Sequence, residues 1–268
     1  MELRAVIRYA AAMAKLFVVC AAAGFFAGYL SIAHFGATPQ KVFNASTFNT
    51  TLSDPVREKV RERVKDGGWV IFLSNSLLAV ILISPVFLAG SYRFKNFLHS
   101  GMKINSEDTM AGKFDLAVIR AIGLTAACDK RIISLSFSLN IANRFATGIL
   151  AFMTGALCPA ASGLLSGPII VFAALAPHGI IEIPAFFVAA AFPLALFERL
   201  KSAVEKDPAT NTFLIARNAA FSKTTIVLAA AVFIALAAAA HIEDKITPEA
   251  VKYFRAQQKN ASEPPCCK

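Results

Sequence analysis

Residues 168–197 read PIIVFAALAPHGIIEIPAFFVAAAFPLALF and close an almost uncharged stretch that begins at Ile132. Within residues 132–197 the only formal charges are Arg144 and Glu182. A helix that spans a bilayer needs about 20 residues, so this stretch accommodates three crossings, or two crossings and a re-entrant piece. Its prolines predict broken helices, which at membrane depth must be buried in protein or line a cavity. They are Pro159, Pro168, Pro177, Pro184 and Pro193.

The composition of the whole chain indicates a membrane protein. Of its 268 residues, 56% are hydrophobic and 16% are charged, whereas soluble domains carry about 25% charged residues. The net charge of +10 lies mostly in the connections between apolar runs, where basic residues contact anionic headgroups. We therefore expect membrane lipids as partners and no nucleic acid.

Other apolar runs of spanning length lie on both sides of this stretch, at Met13–Ala33, Trp69–Gly90 and Thr224–Ala240. The predicted fold is an all-α polytopic membrane protein with five or six transmembrane helices, a broken or re-entrant central region and short amphipathic surface helices. Residues 1–241 form one predicted transmembrane domain, and residues 242–268 form a polar tail with a short helix. The polar connections are residues 34–68, 91–131 and 198–223.

Surface helices are predicted in three polar segments. Asp54-Pro55 opens a charged helix, which lies either on the bilayer or in solvent, and at least one more helix is expected in residues 91–131. Thr247-Pro248-Glu249 begins a helix in the tail.

Placing the N-terminus in the cytoplasm puts more lysine and arginine on the cytoplasmic side, which predicts that orientation in the cell membrane.

The small residues and the cysteines say less about fold and function than the apolar runs do. Gly24 with Gly28, and Gly163 with Gly167, permit close helix packing within one chain or between two copies. The five cysteines show no CxxC spacing, so we expect neither a disulfide framework nor a zinc site. Cys266-Cys267 is either an incidental pair in a tail or a site of lipidation or oxidation.

The most informative polar residues are His178 and Glu182, which stand four positions apart and so share one face of a helix. Pro177 suits the first turn of a helix that begins there. Ionisable residues in a span are costly and are candidates for function. The pair is either proton-sensitive or substrate-facing, or it is a structural clasp in which His178, Arg144 or Lys15 satisfies Glu182. One histidine and one glutamate do not predict a metal site.

The segment PHGIIEIPA at residues 177–185 resembles the hallmark of the stage II sporulation protein M family. Three further segments resemble the family in the same order: Phe72–Asn75 in the second span, Thr154-Gly155 with later glycines, and a closing I-E-x-x-x-T-P element. Thr154 stands where the family usually has asparagine, and residues 93–131 look longer than the family norm. The candidate polar site comprises Pro177, His178, Gly179, Glu182 and Pro184 of this segment, together with Asn75 and Arg144. The closing element adds Glu243, Thr247 and Pro248.

The resemblance implies a membrane scaffold or assembly subunit that recruits or positions partner proteins, with no catalytic activity and no cofactor. It also implies a protein partner or a homo-oligomer. The alternative function is a transporter, channel or lipid-translocating protein that uses a His/Glu site at the bilayer midplane. No nucleophile and base are recognisable in the spans, so we do not expect an enzyme.

Overall fold

A computed structural model describes residues 2–46, 67–91, 132, 135–164, 168–207 and 209–262. Every regular element in these ranges is helical. A π-helical turn, Ser136–Ile141, leads directly into the fourth helix. The helices are α1 (Leu3–Ala33), α2 (Pro39–Ser46), α3 (Gly67–Ala89), α4 (Ala142–Leu164), α5 (Pro168–Lys206), α6 (Thr212–Ala220), α7 (Lys223–Lys245) and α8 (Thr247–Ser262).

Five of these helices, α1, α3, α4, α5 and α7, are long and apolar enough to cross a membrane. Helices suit these runs because a helix satisfies its own backbone hydrogen bonds where lipid offers none. The all-α polytopic fold is confirmed, and the described residues contain five candidate spans rather than six. The predicted tail helix is confirmed as α8, and α7 continues past the predicted domain boundary at residue 241.

The prediction of a broken or re-entrant central region is wrong for the described residues. Helix α5 runs for 39 residues without interruption, with Pro177, Pro184 and Pro193 inside it, and α4 contains Pro159. Proline in a helix removes one backbone hydrogen bond, but a neighbouring helix can satisfy the freed carbonyl group. The stretch therefore forms two long helices instead of several short pieces.

Two compact units make up the chain, and the division passes through each of the five long helices. One unit contains Met1–Met13, Val80–Ala146 and Phe187–Ala231. The other contains Ala14–Ala79, Thr147–Phe186 and Val232–Lys268. We call them the first and the second unit.

The first unit is built around the middle of α5, where every residue from 189 to 197 is buried. These residues include Ala191, Phe192 and Leu196, whose side chains are fully inaccessible. Successive residues of a helix point about 100° apart, so nine buried positions in a row mean that α5 is covered on all sides. The core of this unit is mostly apolar, and its buried polar residues among those described are Ser136, Asn143, Thr212 and Thr225.

A buried side-chain amide supports the proline in this core. Asn143 of α4 is buried and donates from Nδ2 to the backbone oxygen of Ala190. Ala190 precedes Pro193 by three residues, in the turn where the missing N–H of proline weakens the helical hydrogen bonding. The contact links α4 to α5 one residue after Ala189, whose carbonyl Pro193 leaves without its helical partner.

In the second unit, α1 and α4 pack so closely that glycine is required at the contact. A Cβ atom on Gly24 would overlap the backbone oxygen of Phe152, and one on Gly155 would overlap that of Ala21. A Cβ on Gly28 would lie 2.8 Å from the oxygen of Ala156. Gly24 and Gly28 therefore pack within this chain, which is one of the two predicted uses of such a pair.

Several predicted features lie outside the described residues. These are the charged helix at Asp54-Pro55, any helix in residues 92–131, Cys128 and the pair Cys266-Cys267. They stay predictions.

Candidate functional site

His178 and Glu182 lie on one face of α5, as their spacing predicts. Both are half-buried, and the uncharged residues 168–177 of the same helix precede them. The prediction that Pro177 begins a helix is wrong, because α5 already begins at Pro168. No helix N-terminus therefore lies next to this pair, and a helix dipole does not stabilise the Glu182 carboxylate.

Glu243 joins this pair from the last turn of α7. One side-chain ligand atom each from His178, Glu182 and Glu243 lies within 4.8 Å of the other two, and Glu243 is also half-buried. We call these three residues the His/Glu cluster. It joins the middle of the hallmark segment to the closing segment, which are far apart in the sequence.

Thr247 adds a hydroxyl group to one side of the cluster. Its Oγ1 atom lies 3.5 Å from Nδ1 of His178 and 3.4 Å from the backbone oxygen of Ile242. Thr247 is the first residue of α8, where Pro248 is exposed and has no helical hydrogen bond to lose. The Thr-Pro element thus ends one helix, begins the next and contacts the histidine.

The charges of the cluster are unbalanced within the described part of the chain. There, neither Glu182 nor Glu243 forms an ion pair with a lysine or arginine, and the nearby Lys245 pairs with Asp244 at 2.8 Å. Two ionised carboxylates within 4.8 Å of each other repel by at least about 3.5 kcal/mol at an effective dielectric constant of about 20. A proton or a bound cation would remove this repulsion.

Glu243 lies near the end of its helix, whereas the pair lies inside α5. Glu243 is in the last turn of α7, which ends at Lys245. His178 and Glu182 follow the uncharged residues 168–177 of α5, which begins at Pro168. The expectation of a midplane site stays a prediction.

The remaining predicted site residues have local roles in the structure. Gly179 and Pro184 lie on α5 beside the cluster, and Pro184 is exposed. Asn75 is half-buried in α3. Arg144 is exposed and donates from Nε to Oδ1 of Asn140 at 2.7 Å, one turn earlier in the same segment. Arg144 is therefore bound locally.

Sequence reasoning missed two features. Glu243 was singled out only through the resemblance, and nothing in its spacing from residue 178 predicts the contact. Asn143 received no role, although a lone amide in an apolar run was a signal, since buried amides need partners.

A family comparison covers nearly all of this architecture. The model of the family described as stage II sporulation protein M matches residues 16–248. The chain belongs to the stage II sporulation protein M family. Comparison with curated proteins gave no match, and comparison with solved structures gave none either.

The match to the stage II sporulation protein M family includes every residue of the His/Glu cluster. The matched residues 16–248 include His178, Glu182, Glu243 and Thr247, so the family pattern spans both segments that meet there. At position 154 this chain has threonine where the family usually has asparagine. The Thr154 hydroxyl donates to the backbone oxygen of Leu150 at 2.8 Å. The threonine is satisfied within its own helix.

Proposed function

We propose that this member of the stage II sporulation protein M family is a scaffold of the cell membrane that recruits or positions partner proteins. Its N-terminus lies in the cytoplasm in this proposal. The family match supports the scaffold role, because the family resemblance implies assembly rather than catalysis. The single structural observation that favours it is the closely packed centre of α5.

Within the described residues, the centre of α5 is apolar and covered on all sides. Residues 189–197 are buried on all sides and carry no charge, and the nearest buried amide, Asn143, is used by the carbonyl of Ala190. Transporters instead place broken helices and exposed backbone groups around a cavity near the midplane. Dry packing around an unbroken helix suits a subunit that keeps one shape and offers its outer surface to partners.

Among the described spans, α1 is the least covered by the rest of the protein. Only 11% of its most apolar 18-residue stretch is buried inside the protein, compared with 56% of the corresponding stretch of α5. Its tight contact with α4 is made through small residues such as Gly24, whereas Val18, Val19 and Phe26 are more than 60% exposed. These side chains are available to a partner helix or to lipid.

Photo-cross-linking in native membranes tests the scaffold proposal. A photoreactive phenylalanine analogue placed at Val19 or at Phe26 should give adducts to one and the same protein, because both side chains lie on the exposed part of α1. The same analogue at Met13, which is fully buried, should give no intermolecular adduct. Mass spectrometry of the adducts identifies the protein, which can be a second copy of this chain.

A second exposed helix provides the specificity control. Ile234 of α7 is 71% exposed, and an analogue there reports general crowding in the membrane. Equal labelling of the same proteins from Ile234 and from Phe26, or adducts to lipid alone from every position, would contradict recruitment through α1. The partner should also lose its normal position in cells that lack this chain.

A further inference from the structure

We propose that His178, Glu182 and Glu243 bind a divalent transition-metal ion of the Zn²⁺ and Mn²⁺ class. The ion would join α5 to the end of α7, next to the start of α8. The proposal is independent of partner recruitment, since it concerns ion binding by the isolated chain. It rests on the geometry, the charge and the donor types of the cluster.

The geometry suits a shared ion. Residues four apart on a helix present two ligands on one face, as in zinc sites whose histidines are spaced in this way, and α7 supplies the third ligand. Metal–ligand bonds of about 2.0 to 2.2 Å place ligand atoms about 3.4 Å apart around a tetrahedral ion. The three ligand atoms already lie within 4.8 Å of one another, so small side-chain rotations bring them to an ion.

The charge of the cluster also favours a divalent cation. Two carboxylates and a neutral imidazole carry two negative charges, which one such ion balances. Neither Glu182 nor Glu243 has a cationic partner among the described residues. Their half-burial near lipid makes an uncompensated pair of carboxylates more unfavourable than it would be in water.

Thr247 provides the orienting contact that metal-binding histidines use. Its Oγ1 lies 3.5 Å from Nδ1 of His178, so the hydroxyl oxygen can accept a hydrogen bond from Nδ1–H. This assignment leaves Nε2 as the ligand atom and fixes the tautomer of the ring. The half-buried position leaves the fourth coordination site to water or to a ligand.

The donor set selects the class of ion. One imidazole and two carboxylates suit Zn²⁺, Mn²⁺ or Fe²⁺, whereas Mg²⁺ and Ca²⁺ prefer oxygen ligands throughout. The cluster contains no cysteine, so it does not select Cu⁺. Zn²⁺ is therefore the first probe and Mg²⁺ the negative control.

The test uses the full-length, tag-free protein in detergent, stripped with a chelator and then titrated with Zn²⁺, Mn²⁺ or Mg²⁺. The expected result is one Zn²⁺ per chain by elemental analysis after dialysis, with a rise in the thermal unfolding temperature that Mg²⁺ does not produce. H178A, E182Q and E243Q should each weaken Zn²⁺ binding at least tenfold by calorimetry.

Matched variants control for adventitious binding. H241A removes an exposed histidine of α7, and E249Q removes an exposed glutamate of α8 that pairs with Lys252, so both should bind Zn²⁺ like the wild type. Loss of binding in H241A with retention in H178A would overturn the proposal. So would a wild-type protein that retains no Zn²⁺, or E243Q that binds it with unchanged affinity.

Cobalt spectroscopy of the wild type keeps the test decisive if the cluster variants fail to fold. Co²⁺ bound by one nitrogen and two carboxylate ligands should give visible ligand-field bands that one equivalent of Zn²⁺ abolishes. Absence of these bands would overturn the proposal without any variant.

Discussion

Gly155→Ala is expected to destabilise the protein by about 3 kcal/mol, at the upper end of overpacking effects. The added Cβ would lie 2.7 Å from the carbonyl carbon and 2.8 Å from the Cα of Ala21, and closer still to the carbonyl oxygen. These are backbone atoms of α1, so no side chain can rotate away, and the two helices have to separate. Reversible unfolding in mixed micelles, followed by circular dichroism, measures the change.

Gly148→Ala is the matched control, because it makes the same change on the same helix. Its Cβ would lie 3.5 Å from Sγ of Cys20, an ordinary van der Waals contact. Alanine is favoured over glycine within a helix by up to about 1 kcal/mol, so this variant should be as stable as the wild type or slightly more stable. Equal destabilisation by the two variants would show that α1 and α4 do not pack through Gly155.

Asn143→Leu is the second substitution with a large expected effect, a loss of about 1 to 2 kcal/mol in stability. Side-chain hydrogen bonds between membrane helices contribute about 0.6 kcal/mol on average, but a buried group left without a partner costs about 1 to 3 kcal/mol. The higher range applies because the Ala190 carbonyl lies in the turn before Pro193, where helical bonding is already weakened. The same unfolding measurement reports the loss.

Two variants separate the amide contact from general effects of substitution. Asn140→Ala removes an exposed hydrogen bond to Arg144 near the start of α4 and should cost less than about 0.5 kcal/mol. Pro193→Ala restores the N–H that bonds to the Ala189 carbonyl and relieves the distortion of this turn, so Asn143→Leu should be less harmful in that background. Identical losses with and without Pro193 would contradict the role given to Asn143.

The spans could be predicted from sequence because their signal is local and additive. Each run from Met13 to Ala33, Trp69 to Gly90 and Thr224 to Ala240 has enough apolar residues to cross a bilayer by itself. The structure places a long helix on each of them. Predicting these spans requires no knowledge of the neighbouring helices, because an apolar run of this length is stable in lipid by itself.

The central prolines could not be interpreted in this way. Their effect depends on whether contacts with other helices compensate for the hydrogen bond that each proline removes. Asn143 of α4 makes such a contact with Ala190, one residue after the carbonyl that Pro193 frees. A rule based on proline alone therefore predicted breaks in α5 that are not there. The number of crossings in residues 132–197 followed from the same tertiary contacts.

The candidate site, too, could be predicted only in part from the sequence. The sequence by itself determined that the chain is a helical membrane protein and that His178 and Glu182 share one helical face, because hydropathy and helical period act within a single segment. Only the tertiary structure decided that Glu243 completes the cluster. The physical reason is that contacts between distant segments depend on how whole helices pack, and the spacing of residues along the chain does not record that packing.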